Sequence, residues 1–375
     1  MIKAVKDRIV ALDVLRGIII AGMILVNTPG DYRYTFAPLK HAEWIGITPT
    51  DLIFPFFMFI MGFTSYLSLK KYDFKLNIKS AFKVLKRTIV IFAVGILITW
   101  VGLFCDTWKE LVNSNLSFFN HFELSLLNLS HLRIMGVLQR LALSYGIAAF
   151  IILLIKRKYI LWLIASLFII YFIILITGNG FVDTHDSILF RFDTAIMGQN
   201  HLWKGDIVDP EGFLGTICTV GHVLVGFYIA SIVMKKDNLY AKVEELFICG
   251  FVLLCSGLLL SFGCPISKKI WTPTFAMFTC GLASSSLALL IWVIDIKGYK
   301  RWSKPFLVFG VNPLFLYTLS EVLAILFGFF HIPSSNSQNI HDMICIGTLE
   351  PLLGKYGGAL MYSLFFVILN WAIGY

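Results

Sequence analysis

Charge is what this 375-residue sequence has least of: only 14% of it is Asp, Glu, Lys or Arg, against about 25% in soluble domains. Its 7 cysteines include no CxxC pair, and neither a P-loop nor a GxSxG elbow is present. Those absences exclude a zinc ribbon, a Walker-type nucleotide site and an α/β-hydrolase nucleophile. No His or carboxylate pair has a familiar i, i+3 or i+4 ligand spacing, so no metal is expected. Low-complexity tracts, soluble appendages and the inverted repeats common in transporters are also missing.

Apolar residues fill the space. They make up 58% of the chain, with 34 Phe, and the mean hydropathy is +0.81. Ten apolar runs are long enough to cross a hydrocarbon core of about 30 Å as helices: 9–26, 51–69, 82–104, 134–155, 159–177, 213–234, 246–262, 274–294, 306–329 and 357–375. The expectation is an all-α, polytopic membrane bundle of about ten transmembrane helices, forming one domain over residues 1–375. The first run carries Asp13 and Arg16 and no small-residue cleavage site, so it reads as a retained span. The sequence stops at Tyr375, at the end of the last run, and a short tail beyond it is expected.

A net charge of +9 is compatible with nucleic-acid binding in principle, but its distribution argues against that. Of 31 Lys and Arg, 20 fall in five segments. These are Lys3, Lys6 and Arg8; seven residues from Lys70 to Arg87; Lys156 to Lys158; Lys235, Lys236 and Lys242; and Lys297, Lys300, Arg301 and Lys304. They are the N-terminus and every second loop, the positive-inside pattern, which predicts cytoplasmic termini. The alternate loops, 28–50, 105–133, 178–212, 263–273 and 331–356, then face outside. Cys105, Cys264 and Cys345 fall on that side, where a disulfide is permitted, while the other four cysteines read as apolar filler within spans.

Ionisable groups within spans ask for a partner or a purpose. Asp13 and Arg16 are three apart on one helix face, which reads as an intrahelical pair; alternatively Arg16 also faces an anionic ligand. Asn27 closes the first span, where a helix C-cap is the plain reading, and Asp51 opens the second, where capping and the macrodipole favour an acid. These two bracket a loop holding His41, Glu43 and Trp44, so all five lie within a short reach of one another. HLRIMGVLQRLALSY is expected to bury Gln139 and Arg140 two turns deep, a costly placement without a carboxylate or substrate. His222, Asn312 and Glu321 add polar groups inside the bundle.

The string RIVALDVLRGIII…MILVNTPG…LKHAEWIGITPTDLIFPFFMFIMG resembles the start of the membrane domain of the heparan-alpha-glucosaminide N-acetyltransferase family and its bacterial homologues. GVLQRLALSY, VDPEGFLGTI, PISKKIWTPTF and GVNPLFLYTLSEV follow in the same order, so the match runs from Arg8 to the C-terminus. The loop between Asn27 and His41 is a few residues longer than in the animal enzyme, whose large lumenal extension has no match in this sequence. The resemblance implies a multi-pass enzyme of the bacterial inner membrane, moving acetyl groups from cytoplasmic acetyl-CoA to the amino group of a terminal glucosamine outside. It puts the family's catalytic histidine on His41 in KHAEW, and its partner asparagine on Asn27 in the VN pair.

On that reading neutral His41 is a general base, a sugar hydrogen bond being its plainer role, and Asn27 donates to the carbonyl oxygen as charge develops there. An acetyl-histidine intermediate is the competing route. Asp51, Trp44, Glu43, Gln139, Arg140 and Glu321 are candidate substrate-binding residues, with Arg16 and Asn312 candidates for the acetyl-CoA side. The expected partners are acetyl-CoA, an amino sugar or glycan acceptor and the lipid bilayer, with no nucleic acid and with a homodimer left open. An O-acetyltransferase of envelope polysaccharide and a secondary transporter are the alternatives.

Overall fold

The computed structural model describes residues 9–112, 117–331 and 339–375; Lys3, Lys6 and Arg8 lie outside them. Fourteen α-helices are described: α1 Val10–Asn27, α2 Ile53–Lys70, α3 Ile78–Leu111, α4 Phe118–Leu127, α5 Val137–Leu154, α6 Ile160–Thr177, α7 Ile188–Met197, α8 Thr216–Val233, α9 Leu239–Leu260, α10 Pro273–Leu290, α11 Lys304–Val311, α12 Pro313–Phe329, α13 Ile340–Ile344 and α14 Glu350–Gly374. Among the described residues there is no strand, only the isolated bridge between His331 and Asn339. Among the described residues nine helical stretches are long and apolar enough to cross a membrane, or ten when the bent α11–α12 pair counts as one span. The protein is thus an all-α, multi-pass membrane bundle.

Apolar side chains all round a helix are compatible with either lipid or protein neighbours, and the bundle sorts them. In the most apolar 18-residue window of each helix, 83% of the residues of α8 are buried, against 22% in α3 and in α9. The central helices α2 and α8 cross closely because both carry glycine at the crossing: Gly62 faces the Val223 carbonyl and Gly226 the Phe59 carbonyl, leaving no room for a Cβ. This crossing positions the N-terminal end of α2, on which the site is built.

Three spans depart from expectation. The run 82–104 is part of a 34-residue α3, about 50 Å long, so its end projects past the hydrocarbon and Cys105 sits in the helix rather than in a loop. All seven cysteines are free, so the permitted outer disulfide is not formed. The run 306–329 is not one helix: α11 and α12 meet at 88°. Pro313 has no N–H and disfavours helical geometry at the residue before it, and Asn312 there takes φ −124° and ψ 57°. Asn312 is therefore exposed at a corner, and the expectation of a polar group inside the bundle is corrected. In the last span, Gly354 at φ 71° interrupts the helix before the run 357–375 begins.

The helix ends gather at two faces. At one, Asp295 accepts from the first-turn amides of Val10 and Ala11 (3.2 and 3.0 Å), an acid at a helix N-terminus, and Arg157 lies over Phe74; the described basic segments are on this face. The other face joins the ends of α1, α3, α6, α9 and α12 to the starts of α2, α5, α8, α10 and α14.

Candidate active site

A turn of 3-10 helix, Pro49–Leu52, leads into α2 and turns the Asp51 carboxylate back onto its own loop. Its Oδ2 accepts from the Thr48 amide (3.0 Å) and the Ala42 amide (3.1 Å). Oδ1 is 2.6 Å from His41 Nδ1. A carboxylate fixed by two backbone amides can only accept, so His41 donates from Nδ1 and keeps the lone pair of Nε2. The same Asp51 side chain thus caps its own turn and orients His41.

Lys268, from the loop between α9 and α10, brings Nζ to 3.1 and 3.2 Å from the two ring nitrogens of His41 and to 3.9 Å from Asp51. Near-equal distances set the ammonium against the ring and on neither lone pair. Burial pulls Lys268 below the usual lysine range, although the Glu211 and Asp51 carboxylates favour its charge. Trp44 serves the loop itself: Nε1 donates to the Phe181 carbonyl at 2.8 Å, and its own carbonyl accepts from Ser267 Oγ at 2.5 Å. Glu43 is exposed and pairs with nothing among the described residues.

Asn27 does not cap its helix. Its Nδ2 donates to Glu321 Oε1 of α12 at 2.9 Å, which leaves the second amide hydrogen free to point elsewhere. One helical turn from Asn27, Asp51 and Glu321 respectively, the side chains of Met23, Phe54 and Tyr317 line a cavity of about 150 Å³. Each of the three polar residues is thus one turn along its helix from this lining, and Arg87, on α3, lines the cavity too.

Gln139 and Arg140 are buried, but not two turns deep. Gly136 is extended and α5 starts at Val137, so both lie in the first turn, and HLRIM is loop. The Gln139 amide is enclosed against Gly95 and Gly136. Arg140 meets a carbonyl instead of a carboxylate, donating to Pro210, with its guanidinium 5.1 Å from the centre of the Trp271 ring. Arg16 pairs with Asp13 at 3.0 Å and also reaches the Gly310 carbonyl at 3.1 Å; it lies about 16 Å along α1 from Asn27. Among the described residues no group of three or more His, Cys, Asp or Glu could hold a metal ion.

Several residues beside the site escaped sequence reasoning. Arg133 binds Asp209 (2.6 Å) and Glu211 (2.8 Å). Burial alone raises a carboxyl, but Arg133 and then Lys268 hold Glu211 below its ordinary value. Trp271, buried with φ 49°, packs on Phe54 and His222, and such left-handed geometry in a bulky residue persists only where its surroundings enforce it. A signal existed: Lys268-Lys269 is an adjacent basic pair in a loop of the alternate set that the positive-inside pattern expects to be poor in bases.

Asp193 on α7 is the strained member of this face. Its Oδ1 accepts from the Leu214 amide, while Oδ2 accepts no well-formed hydrogen bond from the described residues. Burial pushes its carboxyl up to about 6, with the Asp209 charge adding to the effect. Between about pH 4 and 6 the folded chain keeps a proton that the unfolded chain loses, so stability falls as pH rises through that window. The full penalty, on the order of 1–3 kcal/mol, applies above it. Asp193→Asn is expected to raise the melting temperature in detergent at pH 7.5 and by much less at pH 4.5. An equal gain at both values would show that ionisation there is not penalised.

Residues 8–256 match the family model described as heparan-alpha-glucosaminide N-acetyltransferase, catalytic. The heparan-alpha-glucosaminide N-acetyltransferase of Homo sapiens is 25% identical over 396 aligned residues, covering 88% of this chain and 55% of that protein. The Mus musculus protein of the same name is 26% identical, covering 86% and 55%. The chain thus spans about half the length of these curated relatives. With the family model covering well over half of the sequence, including the His41–Asp51 pair and Asn27, the chain belongs to the heparan-alpha-glucosaminide N-acetyltransferase catalytic family.

Proposed function

We propose that the chain is an acyltransferase of the bacterial inner membrane, folded as one domain with cytoplasmic termini, that passes an acetyl group from cytoplasmic acetyl-CoA to the amino group of a glucosamine or related amino sugar outside. The observation that carries this reading is the His41–Asp51 pair at 2.6 Å, which leaves Nε2 as an acceptor at the face of a membrane bundle. Family membership supplies the reaction class.

The acceptor amine attacks the thioester carbon while His41 Nε2 takes its proton, and Asp51 stabilises the imidazolium as it forms. Charge on the thioester oxygen is met by the free amide hydrogen of Asn27, held in place by Glu321. The C–S bond then breaks and CoA leaves as its thiol, protonated in the end by the proton His41 removed. The apolar cavity under Asn27, Asp51 and Glu321 gives the reacting thioester a dry approach, and Arg87 and Arg16 supply positive charge toward the basic face for phosphates. Direct transfer is favoured over an acetyl-histidine because His41 is exposed, and an acyl-imidazole in contact with water would hydrolyse.

The test uses purified chain in sealed vesicles with labelled acetyl-CoA on one side and a panel of amino sugars on the other. Alkali-stable label in the sugar, formed only when acetyl-CoA meets the basic face, is the expected result. Alkali-labile product would mean O-acetylation. Sugar counterflow without any need for acetyl-CoA would mean a transporter.

A further inference from the structure

Lys268 has no part in the transfer step, yet its amine stands where that step needs one. A general base must reach the nitrogen it deprotonates within about 2.6–3.2 Å, and Lys268 Nζ is 3.1 Å from His41 Nδ1 and 3.2 Å from Nε2. The Asp51 carboxylate, at 3.9 Å, is too far for a hydrogen bond. The neighbouring lysine is held differently, with Lys269 Nζ donating to Asp206 at 2.6 Å. Of two adjacent lysines, one is locked in an ion pair and the other lies on the candidate base.

The backbone builds this placement. Ser267 Oγ donates to the Trp44 carbonyl at 2.5 Å and the Gly46 amide donates to the Ile266 carbonyl at 2.8 Å, so the residues just before Lys268 are stitched to the loop that carries His41. Beyond it, the Trp271 amide donates to the Lys268 carbonyl at 3.0 Å and the Thr272 amide to the Ser267 carbonyl at 3.1 Å, which closes a tight turn. The Lys268 side chain is only 15% exposed. Rotation about the last bonds of its four-carbon stem carries Nζ from the ring onto the Nε2 lone pair, the position an acceptor amine takes in the proposed transfer. Burial is the largest influence on its charge and draws it below the usual lysine range, opposed by Glu211 and Asp51 and aided by Arg140 and Lys269. That enlarges the neutral fraction, the form that attacks a carbonyl.

We propose that Lys268 is a self-acetylation site, taking the acetyl group of acetyl-CoA onto Nζ when no acceptor amine occupies the place beside His41. The step rests on the acetyl-transfer reading and balances in the same way. Neutral Nζ attacks the thioester carbon, His41 Nε2 takes the proton that the nitrogen sheds, the C–S bond breaks, and CoA leaves as its thiol with that proton. The product is an amide, so it is not passed on to a sugar and is no acetyl-enzyme intermediate. It removes the Lys268 charge and leaves the acyl group against the His41 ring. An acceptor amine and Lys268 thus compete for one base.

In the test, the full chain in nanodiscs is incubated with labelled acetyl-CoA, with and without glucosamine, and both protein and sugar are assayed for label. Without sugar, hydroxylamine-stable label is expected on Lys268 by fragmentation mass spectrometry, with Lys269 unmodified as the internal measure of spontaneous acetylation. Saturating glucosamine should suppress the label, and His41→Ala should slow its appearance by about a hundredfold, the lower end of what a general base contributes. Labelling of Lys268 that is as fast in His41→Ala, or that glucosamine does not slow, overturns the site. Hydroxylamine-labile label overturns it too, since that label would sit on an imidazole. Acetylated sugar with no label on the protein overturns the site and leaves the acyltransferase reading intact. Label on Lys268 with no amino sugar acetylated would sink the sugar acceptor and leave the site standing, and label on neither would overturn both.

Discussion

His41→Ala is expected to abolish acetyl transfer while the protein still folds and still binds acetyl-CoA. Asp51→Asn should fall nearly as far, by about 10³–10⁴-fold in kcat. The reason lies in what Asp51 does with its two oxygens. One accepts a hydrogen bond from His41 Nδ1 at 2.6 Å and the other accepts from two backbone amides. An asparagine has one acceptor oxygen, which the amides will claim, and its NH2 then faces His41 Nδ1. Imidazole answers by moving its proton to Nε2, and the base loses its lone pair. If His41 only hydrogen-bonded the sugar, Asp51→Asn would raise KM and leave kcat within tenfold, which is how the two roles are told apart. Initial rates against both substrates should give intersecting double-reciprocal lines; parallel lines with a burst of CoA before sugar is added would make His41 a nucleophile.

The second large effect is at Asn27. Its side chain donates one hydrogen to Glu321 at 2.9 Å, and the proposal gives the other to the thioester oxygen. Removing such a donor costs about 3–4 kcal/mol, so Asn27→Ala is expected to slow turnover by a hundredfold or more with little change in KM for either substrate. Glu321→Ala should produce part of the same loss by letting the amide turn. Rates within threefold of the parent in Asn27→Ala would confine Asn27 to joining α1 and α12.

The spans were legible because ten apolar runs of near-membrane length leave few alternatives, and alternate basic loops order them. What the runs could not display was the break at Asn312. A hydropathy window averages over Pro313, and the 88° corner leaves no mark on it. Within the site, His41 and Asp51 were legible as neighbours because one short loop holds both. The pairing of Asn27 was not: sequence distance alone links it with His41, whereas its partner Glu321 is 294 residues away. Gln139 and Arg140 were placed too deep because the apolar residues Leu132, Ile134 and Met135 look like helix, and Gly136 is the only sign that it has not yet begun. Trp44 reads as a ligand contact in the sequence, and its role as a tether was not legible because it depends on the Phe181 carbonyl, 137 positions along the chain.

The corner between α11 and α12 has a mechanical consequence. A continuous helix is a stiff rod that carries a push from one end to the other, and a rod cut and turned through 88° does not. On the near side of the cut, α11 is fastened to α1 by the Arg16 bond to Gly310; on the far side, α12 is fastened to the same helix by Asn27 and Glu321. Each half is riveted to α1 separately, so the bundle can give way around α11 without dragging the Glu321 carboxylate out of line with the Asn27 amide.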